Sequence, residues 1–166
     1  MQINYLSPEK VENFYKIFTH VLKTEFPGYD PKVSQYLLDK IYNVPTFKYW
    51  TTNKEKVVLT GEFEGKIVGF ALIDSVYGGV SFCRWLGVMK DHQHQGIGTA
   101  LVYAWEKLAK DSGAHKMEVA GQPEATEFYK KVGLTLEGKR LKSYFGIDQY
   151  LFGKVLSEPD AEKMVK

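Results

Sequence analysis

The chain holds a single cysteine, Cys83, among 166 residues, so no disulfide can close within it. Neither sign of charge is in excess. Twenty-two Lys and Arg against 20 Asp and Glu leave a net +2, too weak a field to gather a nucleic acid or an anionic membrane. No apolar run approaches about 18 residues, and the N-terminus lacks a leader pattern. The expectation is a cytoplasmic protein with neither nucleic acid nor membrane as partner. Internal repeats and low-complexity linkers are missing too. What is present is 44% hydrophobic residues in a length that suits one packed domain. We expect that domain over residues 1–156, with 157–166 a frayed C-terminal tail.

Periodicity orders the chain as α/β. Gln2 to Leu6 reads as a short strand. Ser7 followed by Pro8 reads as a helix cap, with Val11, Phe14, Ile17, Phe18, Val21 and Leu22 on one face as far as Phe26. Asp30-Pro31 starts a second helix. Pro45 to Asn53 reads as an aromatic-rich loop. Strands are expected at 56–63 and 66–76, joined at Glu64-Gly65, and Gly78-Gly79 turns into a strand over 82–88. A long helix from Ile97, a strand over 116–120, a helix over 123–132 and strands over 134–137 and 149–156 complete the order. The strands around 82–88 and 116–120 should be parallel, because a helical crossover joins them.

Between strand and long helix lies Gln93-His94-Gln95-Gly96-Ile97-Gly98-Thr99-Ala100. Gly96 and Gly98 permit a tight turn and close backbone approach, and the first-turn N–H groups with the helix dipole attract phosphate. Lys is absent from positions 91 to 106, which excludes a P-loop, and Leu101 stands where a dinucleotide fingerprint needs its third glycine. The remaining Gln-x-x-Gly-x-Gly pattern resembles the coenzyme A loop of the GNAT-superfamily N-acetyltransferases. Leu86-Gly87-Val88 is similar to that superfamily's Leu-x-Val, and Ala125 to Leu134 resembles its Ala-x-x-x-Tyr-x-x-x-Gly-Phe signature, with Leu134 in the Phe position. The match runs from about Glu62 to Lys154.

The resemblance implies a GNAT-like acyl-CoA N-acyltransferase fold (α/β, α+β): a mixed sheet of about six to seven strands with helices on both faces, two strands splaying around a thioester. It implies acetyl-CoA as cosubstrate, without a metal, and a small-molecule or peptide amine as acceptor; a homodimer is compatible with it. By the same resemblance Leu86, Val88, Gln93, His94, Gln95, Gly96, Gly98, Thr99, Gln122 and Tyr129 would hold coenzyme A. The Val88 backbone N–H would polarise the thioester carbonyl, and Tyr129 would be the general acid, a buried core tyrosine being its plain alternative. The superfamily's strand glutamate has no counterpart at Phe82 or Arg84. Glu118, Asp74, Glu62, His115 and Asp148 are candidates for the base, which stays unassigned. Tyr29, Tyr49, Trp50 and Tyr144 are expected at the acceptor, where Glu25, Asp30 or Asp74 would favour a cationic amine. His92-x-His94 with His115 and Cys83 is too sparse for a metal set. Two alternatives stay open: a catalytically silent coenzyme A-binding sensor or interaction module, and a nucleotide-binding domain.

Overall fold

The computed structural model describes residues 1–165. Among them, strands β1 (Gln2–Tyr5), β2 (Lys56–Phe63), β3 (Lys66–Asp74), β4 (Val80–Val88), β5 (Lys116–Gly121), β6 (Thr135–Arg140) and β7 (Gln149–Val155) form one sheet in the order β1-β2-β3-β4-β5-β7-β6. The β2–β3 turn puts Glu64 and Gly65 at φ 49° and 75°. This left-handed pair matches strand twist and fixes the hairpin. β4 and β5 run parallel, and the other neighbours run antiparallel. A crossover helix, α4 (Ile97–Asp111), joins the parallel pair as its length requires.

One face of the sheet carries α1 (Val11–Glu25), α2 (Pro31–Tyr36), whose axis continues through a π-type turn over Leu37–Ile41, and α3 (Val44–Asn53). Phe14, Phe18, Phe47 and Phe70 are fully buried there, Phe14 edge-on to both Phe47 and Phe70 at 5.0 and 5.5 Å. The other face carries α4 and α5 (Thr126–Lys131) over Leu101, Trp105, Met117 and Phe152. Trp105 donates its indole N–H to the buried Ser81 hydroxyl at 2.9 Å, so its ring is buried without stranding a donor. Each such side chain contributes about 1.5–3 kcal/mol through removal from water.

Three expectations are corrected. Pro45–Asn53 is not a loop: Asn43 accepts the Thr46 N–H at 3.0 Å and Pro45 lies in the first turn, which caps and starts α3. Ser7 makes no side-chain cap, and a 3-10 turn over Pro8–Lys10 leads into α1 instead. The tail is not frayed throughout, since Asp160 caps a short helix, α6 (Ala161–Met164). Lys166 lies outside the described residues.

Candidate active site

Pairing of β4 with β5 ends at Cys83↔Val119, while β4 stays paired with β3 as far as Val88. At the same point the β3–β4 register slips: Leu72 faces Trp85 and Ile73 faces Cys83, which leaves Arg84 as a bulge. The strands therefore part, and a cleft of about 450 Å³ opens between Phe82–Leu86 and Val119–Gln122, walled by Phe26, Tyr29, Tyr42 and Tyr144.

The backbone of β4 is turned into this split. Met89 donates its N–H to the Val68 carbonyl at 2.8 Å, and antiparallel residues alternate in direction, so Val88 and Leu86 present their N–H and C=O groups away from β3. Gly87 between them has no room for a side chain, because a Cβ would lie 2.6 Å from the Val21 side chain. Its absence lets α1 rest on β4 and brings the end of α1 to the cleft.

Gly96 caps α4 at φ 83° with open space where a Cβ would be. The first helical bond runs from the Ala100 N–H to the Gly96 carbonyl, so the N–H groups of Ile97, Gly98 and Thr99 lie ahead of the ladder. No side chain caps them and no acidic residue occupies the first turn. This cradle of donors fits a pyrophosphate. A Cβ on Gly98 would meet the Phe128 ring at 3.2 Å, so this glycine lets α4 sit against α5. His94 is exposed, with φ 59°, and Gln95 bonds back to the Asp91 carbonyl at 3.1 Å.

Tyr129 is 4% exposed and lines the cleft, its ring tilted against Phe152 at 4.9 Å and lying over Gly121, where a Cβ would be 2.7 Å from it. Burial, and secondarily the neighbouring Cys83, push its phenol well above the ordinary value of 10.0. Gln93 donates to the Glu25 carboxylate at 2.7 Å and to the Val88 carbonyl at 3.0 Å. Gln122 donates to the Glu25 backbone carbonyl at 3.0 Å, tying the end of β5 to the end of α1. Nothing in local spacing links Glu25 to Gln93 across 68 residues, and only the seating of α1 on Gly87 reveals the link.

Of the expected acceptor residues, Tyr29 and Tyr144 line the cleft, and burial pushes the Tyr29 phenol up to about 12. Tyr49 and Trp50 do not line it. Tyr49 is 56% exposed on α3, and Trp50 packs edge-on against Phe47 at 5.6 Å. Helix formation turns their aromatic run into a core stripe and a surface ring.

Among the candidate bases, Glu118 pairs with Lys116, Glu62 with Lys10, and Asp74 with Lys56 and Arg84. His115 sits beneath Gly79, and Asp148 lines the cleft while accepting the Lys142 N–H at 2.8 Å. No three His, Cys, Asp or Glu side chains converge among the described residues. No helix there is long and apolar enough to cross a membrane.

The acetyltransferase (GNAT) family model matches residues 15–134. In structure the chain is similar to the PaiA N-acetyltransferase of Thermoplasma acidophilum in complex with coenzyme A, at TM-score 0.77 and 18% identity over 93% of this chain and 99% of that one. It is similar to YncA of Salmonella typhimurium, solved with acetyl-CoA, at 0.76 and 19% over 97% and 98%. The ribosomal-protein-alanine N-acetyltransferase of Brucella melitensis matches at 0.74 and 16% over 94% and 100%.

Proposed function

The chain belongs to the acetyltransferase (GNAT) family, and we propose on that premise that it moves an acetyl group from acetyl-CoA to a primary amine by direct attack in a ternary complex. The carrying observation is the split beyond Cys83: Val88, on the parted stretch of β4, turns its backbone N–H away from β3, and the side chain of Tyr129 lines the cleft.

Acetyl-CoA brings the activated acyl carbon. The N–H groups of the first turn of α4 hold its pyrophosphate, with Gln95, His94 and Thr99 beside them. The Val88 N–H donates to the carbonyl oxygen as negative charge develops there, where a fixed donor lowers the barrier most. A primary amine is less than about 1% neutral at pH 7, so a proton must leave the nitrogen. We assign its acceptor to Glu25, directly or through water, because Gln93 fixes that carboxylate beside Val88. Tyr129 gives its proton to the departing sulfur. One N–C bond forms and one C–S bond breaks; of the two protons that the ammonium loses, one passes through Glu25 to solvent before attack and the second, released from nitrogen as the C–S bond breaks, restores through water the proton that Tyr129 gives to sulfur.

Direct transfer is favoured over an acetyl-enzyme by the state of Cys83. Its thiol is fully buried, donates to the Trp85 carbonyl at 3.4 Å, and is held by burial well above its ordinary pKa, so no thiolate is on hand. Initial rates with both substrates varied test the reading. Intersecting reciprocal plots are expected, parallel lines would mean an acetyl-enzyme, and coenzyme A binding without amine-dependent turnover would mean a sensor.

A further inference from the structure

An amine acceptor is a cation in solution, yet the cleft that should receive it carries two guanidinium groups. Arg84 and Arg140 both line it with Asp148 as the one carboxylate of that lining, while Glu25 stands apart from them at the Gln93 end, beside Val88. Arg84 is the bulge residue of β4 and the first beyond the end of the β4–β5 pairing, a place where a bulge re-aims a side chain. Its Nε donates to Asp74 at 2.6 Å, and its guanidinium lies 4.9 Å over the Phe82 ring. Asp74 also holds Lys56 at 2.5 Å, so one carboxylate serves two cations and positive charge is left over. Arg140 has no carboxylate at ion-pair distance among the described residues. Phosphates do not account for these groups, because the donors of the α4 first turn lie beyond the other end of β4.

Two further features of the lining point to a ligand. Phe26, Tyr29, Tyr42 and Trp85 make an apolar aromatic wall, with Trp85 ringed at 5.0, 5.6 and 5.7 Å by the other three. Gln149 lines the same cleft with its amide against the Tyr29 hydroxyl and its side-chain Oε1 buried and without a hydrogen-bond partner among the described residues. A buried acceptor without a donor costs stability unless a ligand supplies one.

Resting on the acetyltransferase reading of this cleft, we propose that the acceptor is an amino acid with a large apolar side chain. Its carboxylate is held by Arg84, its side chain lies on the aromatic wall, and an N–H reaches Gln149. A polyamine is disfavoured because its second ammonium would lie beside a guanidinium, and a bare aryl-alkyl amine leaves Arg84 unused.

The test compares L-phenylalanine, phenethylamine and spermidine as acceptors with acetyl-CoA, for the parent and for Arg84→Gln and Arg140→Gln. The parent should favour phenylalanine over phenethylamine by roughly 10- to 100-fold in kcat/KM, the scale of a hydrogen bond to a charged group. Arg84→Gln should erase most of that ratio through KM while coenzyme A affinity is kept. Calorimetry on the coenzyme A complex with N-acetylphenylalanine and N-acetylphenethylamine reads the same preference without turnover. A binding preference with no turnover of any amine would sustain the amino-acid site and sink the acetyltransferase reading. Turnover of phenethylamine or spermidine at least equal to phenylalanine would leave that reading intact and overturn the proposal. So would an unchanged ratio in Arg84→Gln, or binding of neither product.

Discussion

In the proposed reaction Tyr129 gives a proton and Glu25 takes one, so their substitutions should differ accordingly. Tyr129→Phe keeps the ring on Gly121 and Phe152 and removes the donor. Turnover should fall by roughly 10- to 1,000-fold with coenzyme A affinity held, as for a lost general acid. Parallel loss of affinity in calorimetry would make the residue a packing group. Because burial raises the Tyr129 phenol above its ordinary 10.0, the group stays protonated as pH rises through that value. The pH–rate profile should therefore climb as the amine loses its proton, with no descending limb centred near 10. Glu25→Gln should lower kcat most at neutral pH, where the amine is charged, and less at alkaline pH, where the amine is already neutral. Equal loss at every pH would assign Glu25 to structure alone. Tyr129 was legible in the sequence because its signature is local, whereas Glu25 was one carboxylate among several until tertiary packing joined it to Gln93.

At the scale of elements, α4 and α3 make opposite predictions. The first turn of α4 is held against α5 by the closeness of Gly98 to Phe128, so Gly98→Val should push the turn off its seat. Losing even one hydrogen bond to a charged phosphate weakens binding by roughly 10- to 100-fold. Calorimetry with coenzyme A reads this, and unchanged affinity in the folded variant would remove the loop from the site. Within α3, Phe47 is fully buried and Trp50 leans on it, so Phe47→Ala should cost about 3–5 kcal/mol in denaturant unfolding. Trp50→Ala should destabilise as well, and neither should shift the acceptor KM selectively. The strands and long helices were legible because their periods are unbroken, and the glycine turn that starts α4 because its glycines sit between them. α3 was missed because its aromatics crowd together without a clean apolar face, though Asn43 followed by Pro45 is a start signal that repeats the Asp30-Pro31 logic. The bulge at Arg84 could not be read from the strand alone, since it exists only relative to the β3 register.

For the whole molecule, one sheet serves two tasks. Its two aromatic and aliphatic cores hold β4 between α1 and α4, and the parting of β4 from β5 turns an ordinary parallel crossover into a cleft with the β4 backbone on one side and Tyr129 on the other. Similarity to solved acetyltransferases at 16–19% identity fixes this architecture and leaves the acceptor to the residues of the cleft. The most direct test of the central claim is the release of free thiol from acetyl-CoA across a panel of primary amines, with the N-acetyl product quantified in parallel. Acceptor-dependent release matched one-to-one by N-acetylated amine is expected, falling by roughly 10- to 1,000-fold in Tyr129→Phe. Tight coenzyme A binding with no amine-dependent release by the parent protein would contradict it.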